Sequence, residues 1–347
     1  MTADFLDNRD AFATAFTDGL KQLLQQEGLG PFILVLANAT FEPDLYGELE
    51  TPLRQRFDRL AGELRERFAA GRDGEQSEED LLVFLKMALI GFEGLQLTRF
   101  RDEGPWTLQF NHLRSFRPRR ITSEVPREIV TPFNSRAFNF NKPFLQKECF
   151  WSGELEGRRT DLYYNKYPFA PLHGLWVLDR EAGKPQFLTR EDHDHVWALA
   201  AKFGERVPGL MFGYNSYGAY ASVNHLHVQG FVEPAGMPVM REHWSHHGGD
   251  TDYPARVLYF PDREESWACM AELHADEQPY NALFVPGGSY LFPRCTQGTV
   301  DVPDWSSGLT WFELAGGFIV SNREDFERLD AAELGQELER VRPGSSF

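Results

Sequence analysis

Cysteine is scarce in this sequence, and what little there is stands apart. Cys149, Cys269 and Cys295 are the only three among 347 residues, and no CxxC pair occurs. That spacing excludes a disulfide framework and a cysteine-type zinc site. Long apolar runs are also missing. The run Phe32 to Ala37 is far too short to span a bilayer, and the opening Met-Thr-Ala-Asp-Phe-Leu-Asp carries no signal-peptide core. The expected setting is therefore a reducing cytoplasm with no membrane partner. Basic charge is short as well: 35 Lys and Arg stand against 52 Asp and Glu, a net charge of −17. Nucleic acid and anionic membrane would both be repelled by such a chain. A small anionic substrate is still allowed, provided its site is locally basic.

The chain is otherwise that of a folded globular protein, 42% hydrophobic with 29 Phe, enough to build a large core. Its first hundred residues read as helical. Phe12, Phe16, Leu20, Leu23 and Leu24 share one helical face, and Thr51-Pro52 opens a second helix. Ser77 with Asp80 reads as a capping box for a third helix, reaching about Gly94, after the polar connection from Asp73. Beyond Gly104-Pro105 the pattern changes. Strands are expected at Trp106 to Leu113, Phe138 to Phe140, Glu148 to Gly153, Leu162 to Asn165, Leu175 to Leu178, Leu210 to Tyr214 and Asn224 to Phe231. A helix capped by Thr189 and Asp192 falls among them. The last third adds a strand at Arg256 to Phe260, a helix at Ser266 to His274, a hairpin around Pro286-Gly287-Gly288 and a closing helix over Asp330 to Arg340. This mixture is α+β with antiparallel strands. It divides into residues 1–104 (helical, of unassigned role), 105–235 and 236–347.

The chemically informative stretch runs from Gly213 to Gln229 and ends Asn224-His-Leu-His-Val-Gln229. On a strand, His225, His227 and Gln229 line one face while Leu226 and Val228 pack inward. A loop of Gly, Ala, Ser and Asn precedes them, and such loops let backbone N–H groups approach a phosphate. A neutral imidazole whose second nitrogen is held by a fixed acceptor is a nucleophile near pH 7. His227 suits that role, with the backbone of His225 as the nearest acceptor. An amide donates to a phosphate oxygen but has no proton to hand to a leaving group. Gln229 therefore favours exchange between phosphates over hydrolysis of phosphoramidates.

The His-Leu-His-Val-Gln motif behind an Asn-Ser loop resembles the histidine-triad (HIT) superfamily. The nearer likeness is to its galactose-1-phosphate uridylyltransferase (GalT) branch, closest to the GDP-L-galactose and GDP-D-glucose phosphorylases. Gln109 to Pro118, Phe138 to Lys142, Asn165 to Gly174, Gly213 to Gln229, Gln278 to Asn281 with Leu291 to Arg294, and Trp311 to Gly317 agree with those enzymes in order. The resemblance implies a HIT-like fold of antiparallel sheets with packed helices. It leaves two HIT-like halves open, with 105–235 catalytic, 236–347 resembling the second half of sugar-nucleotide phosphorylases, and a homodimer in keeping. It implies a two-step reaction. His227 takes the nucleotidyl group from a nucleoside diphosphate sugar, GDP-hexose first, assisted by His225 and Gln229, and inorganic phosphate or a sugar phosphate receives it. Asn215, Ser216 and Ser222 would hold the α-phosphate, and Asn224 would also bind the substrate. Lys166 and one of Arg114, Arg117, Arg119 and Arg120 would meet the second phosphate, with Arg117 the choice, and His173 stands as either a substrate contact or a structural histidine. No cofactor or metal is implied, since the CxxC pair that accompanies zinc in the uridylyltransferases is missing. A dinucleoside polyphosphate phosphorylase or hydrolase, and a non-catalytic nucleotide-binding protein, are the alternatives. His243, His246 and His247 read as a loop rather than a metal site, and His193 and His195 as exposed at a helix start.

Overall fold

The computed structural model describes residues 4–71, 77–118, 125–126 and 128–344. Four helices come first: α1 (Arg9–Leu24), α2 (Leu29–Phe41), α3 (Pro43–Ala69) and α4 (Glu78–Ile90). Asn8 caps α1, its side chain accepting from Ala11 N. Sequence periodicity misses α2, because a helix buried on nearly every side has no polar face to reveal its period. It also places the start of the next helix too late. Pro43 occupies the first turn of α3, where its missing N–H is harmless, and Pro52 lies inside the helix instead of opening it. Ser77 caps α4 by accepting from Asp80 N. The Asp80 carboxylate does not close the expected box, because it pairs with Lys166.

The remaining elements are β1 (Arg99–Glu103), β2 (Trp106–Phe110), the short α5 (His112–Ser115), β3 (Cys149–Leu155), β4 (Arg158–Tyr164), β5 (Gly174–Leu178), α6 (Arg190–Arg206), β6 (Leu210–Asn215) and β7 (His227–Val232). They continue with β8 (Leu258–Phe260), α7 (Arg263–Ala275), β9 (Tyr280–Val285), β10 (Gly288–Pro293), the short α8 (Trp311–Leu314), β11 (Gly317–Val320), α9 (Arg323–Arg328) and α10 (Ala331–Arg340). Eight strands form one antiparallel sheet in the order β3-β4-β5-β7-β6-β9-β10-β8, and β1-β2-β11 form a smaller one. The fold is thus α+β with packed helices, a large antiparallel sheet and a small mixed one in which β11 runs parallel to β2. Strands from both sides of residue 235 share the large sheet through the β6–β9 pairing.

Three local expectations are corrected. The strand at Trp106 stops at Phe110, because Asn111 caps the turn of α5 with its side chain on Arg114 N. Phe138 to Phe140 form turns and bends, not a strand. Strand β7 begins at His227, so His225 lies in the preceding loop. The arginines at 119 and 120, and residues 73–76 of the connection at 73–80, lie outside the described residues.

The two faces of the large sheet have different cores. On one, α6 and α7 pack over Trp176, Phe212, Val228 and Phe284. On the other, Met211, Phe231 and Leu283 meet Trp311 and Phe169, while Phe140, Tyr163 and Val177 make a small cluster of their own. The helices α1–α4 form a separate apolar layer that reaches Tyr164 and Tyr167. His193 and His195 are buried rather than exposed (0% and 7%). Helix α7 covers the first turn of α6, with His193 Nε2 3.0 Å from Ser266 Oγ. Asp194 Oδ1 meets the other ring nitrogen at 3.0 Å. The order Asp, His, Ser imitates a hydrolytic triad, but Ser266 is fully buried and bonded to Ser289 Oγ at 2.7 Å, so the group stitches core elements together. Among the described residues no helix is long and apolar enough to cross a membrane.

Candidate active site

His227 opens β7 between β5 and β6, opposite Val177. Its ring faces the side of the sheet that carries Phe140, whose ring centroid lies 5.2 Å away. The side chain is buried (5% exposed). Burial disfavours the imidazolium and lowers the pKa to about 4, so the ring is neutral at pH 7. Its single proton is located by the geometry: Nδ1 lies 2.8 Å from His225 O and donates to it. Nε2 then carries the lone pair, and no hydrogen bond engages it among the described residues.

His225 serves through its backbone. Its Nδ1 accepts from Phe140 N at 3.1 Å, and its Nε2 donates to Arg180 O at 2.9 Å. Both ring nitrogens are committed to the chain, and burial lowers the pKa, keeping the ring neutral. The fixed ring in turn fixes the carbonyl that holds His227.

Gln229 lies two residues along the same face and is partly exposed. Its Oε1 lies 3.1 Å from His173 Nε2. His173 is fully buried, with a pKa lowered to about 3 by desolvation. Phe169 N donates to its Nδ1 at 3.4 Å, which leaves the ring proton on Nε2, where Gln229 Oε1 accepts it. The oxygen of Gln229 is thus spent, and its amide nitrogen remains available to a ligand. Asn165 packs against the same His173 nitrogen at 3.3 Å, and Asn165 O accepts from Asn38 Nδ2 at 3.0 Å. A buried polar residue of α2 therefore supports the loop beneath Gln229.

The residues expected to hold phosphate are placed unevenly. Asn215 Oδ1 accepts from Asn281 Nδ2 at 2.6 Å and from Trp311 N at 3.0 Å, tying β6, β9 and α8 together. Ser216 Oγ accepts from Tyr280 N at 3.0 Å. Asn224 donates to Thr131 O at 2.9 Å and accepts from Gln186 N, also at 2.9 Å. These three shape the loop 216–224 from within. Ser222 is exposed on it, and Gly218 and Tyr220 turn it with φ of 83° and 67°. Lys166 pairs with Asp80, and Arg117 Nε lies 3.3 Å from Glu79.

Arg114 is different. It donates to Tyr167 O at 2.9 Å and lies over the Phe169 ring at 5.1 Å, and among the described residues no carboxylate is within ion-pair distance. Desolvation, with the charge of Arg117 behind it, lowers its pKa to about 10, so it stays cationic. Phe169 bridges it to the site, its ring 4.3 Å from that of His173.

Two further residues stand at the site without having been expected there. Trp311 packs on the site face over Gly213, the register partner of Gln229. Gln186, buried at 2% exposure, bonds the backbone of His227. It lies in Lys184-Pro185-Gln186, where no spacing or motif marks it. In the His243 to His247 loop, His246 Nε2 is 2.8 Å from Val239 O and His247 Nε2 is 2.9 Å from Tyr290 Oη, so both face the chain.

Residues 102–231 match the family described as GDPGP1-like, N-terminal domain, a span that holds every candidate residue from Arg114 to Gln229. The chain is 35% identical to GDP-D-glucose phosphorylase 1 of Danio rerio over 115 residues, 30% of this chain and 31% of that protein. It is 36% identical to GDP-D-glucose phosphorylase 1 of Xenopus laevis over 78 residues, 22% of this chain and 19% of that protein. The matches therefore span about a third or less of these relatives' length. Among solved structures, yeast Ap4A phosphorylase Apa2 superposes with a TM-score of 0.52 at 14% identity, covering 78% of this chain and 97% of that one. At that identity the likeness is one of fold. Over residues 102–231 the chain resembles the GDP-D-glucose phosphorylases.

Proposed function

We propose that this chain is a nucleotide phosphorylase that splits a nucleoside diphosphate sugar, with a GDP-hexose as first choice, through a nucleotidyl group carried on His227. The observation that carries this reading is the neutral His227 ring, with Nδ1 donating to His225 O and Nε2 unengaged, next to a Gln229 amide nitrogen. In the first step the Nε2 lone pair attacks the α-phosphorus. An N–P bond forms, the bond from the α-phosphorus to the bridging oxygen breaks, and a sugar 1-phosphate leaves with the bonding pair. No proton moves. The proton stays on Nδ1, hydrogen-bonded to the His225 carbonyl, which stabilises the positive charge the ring acquires. In the second step an oxygen of inorganic phosphate attacks the same phosphorus, the N–P bond breaks, and a nucleoside diphosphate is released as Nε2 recovers its lone pair. Gln229 donates to a non-bridging oxygen of the α-phosphate. The leaving sugar phosphate is already a stable anion and requires no acid. Arg114, cationic and without a carboxylate partner among the described residues, is the side chain best suited to the incoming phosphate.

Intact-protein mass spectrometry after mixing with GDP-glucose, ADP-glucose or UDP-glucose, without phosphate, tests this. A gain of one nucleotidyl mass that disappears in His227→Ala and is discharged by phosphate is expected, most strongly with GDP-glucose. An adduct with diadenosine tetraphosphate and none with any sugar nucleotide would transfer the assignment to dinucleoside polyphosphates. No adduct and no turnover with either class would sink the phosphorylase reading.

A further inference from the structure

The pairing of β6 with β7 stops short of the candidate nucleophile. Its ladder ends at Gly213 opposite Gln229. On their outer edges the two strands run further: β6 pairs with β9 as far as Asn215 opposite Asn281, and β7 pairs with β5 as far as His227 opposite Val177. Asn215 and His227 thus flank a gap where a sheet would have placed another rung. Buried backbone N–H and C=O groups there need partners.

One side chain supplies them. Gln186 Oε1 accepts from His227 N at 2.9 Å, and Gln186 Nε2 donates to His227 O at 3.0 Å and to Asn215 O at 3.1 Å. The residue is itself held at both ends, its N donating to Asn224 Oδ1 at 2.9 Å and its O accepting from Tyr214 Oη at 3.1 Å. We propose that Gln186 is a positioning residue of this site: its amide stands in for the absent rung, and by gripping both backbone groups of His227 it aims Nε2. This rests on the phosphorylase reading above, and it assigns a role to a residue outside the His-x-His-x-Gln motif.

The chemistry of the side chain is specific. The bracket needs one acceptor and two N–H donors on one planar group, which an amide has. A carboxylate accepts but does not donate, and would set its charge against two carbonyl oxygens. A methionine of similar length makes none of the three bonds. The His227 ring has one hydrogen bond of its own, from Nδ1 to a carbonyl two residues back, so a shift of the His227 backbone moves Nε2 directly. A displacement of roughly 1 Å in a reacting atom costs on the order of 100-fold in rate.

The test compares the unaltered protein with Gln186→Glu and Gln186→Met, measuring steady-state turnover, the rate of nucleotidyl-His227 formation and the melting temperature. We expect kcat and the adduct rate to fall together by roughly 30- to 300-fold, with KM for the sugar nucleotide within about threefold and the variants folded at the assay temperature. Turnover within threefold of the unaltered protein overturns the proposal. So does a loss that appears in KM alone, which would make Gln186 a substrate contact. Hydrogen exchange on the unaltered protein is a second measurement that needs no variant. Protection of the His227 amide like that of the β7 interior supports the bracket, and exchange at the rate of an exposed loop removes it. An unaltered protein without adduct or turnover sinks the phosphorylase reading instead, and the exchange result still judges the bracket.

Discussion

Gly213→Ala is the substitution that most directly probes how the site is assembled. Gly213 lies on β6 opposite Gln229, and its φ is not in the left-handed region, so its backbone would accept alanine without strain. What forbids a side chain is the Trp311 ring. A Cβ at 213 would lie 2.6 Å from Trp311 Nε1 and nearer still to Cδ2 and Cε2. Ordinary heavy-atom contacts fall near 3.5–4.0 Å, so the indole must retreat by about 1 Å or more. Trp311 is fully buried, stacks on Phe231 at 4.8 Å and is tied through its N to Asn215 Oδ1, so it cannot move alone. Overpacking of this kind costs about 1–3 kcal/mol, a drop in melting temperature of about 4–8 °C if the cost is near 2 kcal/mol and each kcal/mol shifts Tm by ~2–4 °C. Gly230→Ala is the control, because its Cβ would lie 2.8 Å from Trp176 Cδ1, on the far face of the same sheet. Both variants should melt lower, by differential scanning calorimetry. Only Gly213→Ala should also lose kcat, by roughly tenfold or more, since Trp311 shares a face with Gln229. A Tm within 1 °C of the unaltered protein would refute the packing argument, and equal kcat losses in the two variants would refute the assignment of faces.

Other predictions concern charge and hydrogen bonding. With the His227 pKa lowered to about 4, turnover should stay level as pH falls through 6.5, where an ordinary histidine would protonate, and fail only near pH 4–5. A kinetic pKa near 6.5 for the free enzyme would contradict the burial of that ring. His173, His195, His227 and His274 all have folded pKa values lowered by desolvation, to about 3 for the first and about 4 for the others. The unfolded chain therefore binds more protons between these values and 6.5, and stability should be intact above 6.5 and lost as pH falls through that window; a melting temperature unchanged from pH 7 to pH 5 would oppose this. Arg114→Gln should raise KM for phosphate by about tenfold, the weight of one charge-assisted hydrogen bond, while Lys166→Ala should do less because Lys166 is already paired with Asp80. Equal effects in phosphate titrations would remove the distinction. Asn38→Leu deletes two hydrogen bonds, a buried one to Leu34 O and a part-buried one to Asn165 O, and should cost about 1–3 kcal/mol in chemical denaturation; a change under about 0.5 kcal/mol would show that Asn165 finds another partner.

The sequence determined the α+β class and most strands of the large antiparallel sheet, and it singled out His227 and Gln229 as candidates, because strand alternation, caps and a short motif are local signals. The two-residue offset that gives His227 Nδ1 its acceptor at His225 O is local too. What the sequence could not determine depends on distance in space. Helix α2 has no periodicity to read, since it is buried on nearly all sides. His193 and His195 look exposed at a helix start until α7 is laid over them. Asn215 Oδ1, Ser216 Oγ and the Asn224 amide look available to a phosphate until β9, α8 and the loop at 131–132 arrive to bond them. Lys166 and Arg117 read as free cations until the first turn of α4 brings Asp80 and Glu79 to them, and Arg114 stands out only because no such partner reaches it among the described residues. Residue type and spacing tell which atoms can react. Which of those atoms are already engaged depends on elements far apart in the chain, and only their packing together decides it.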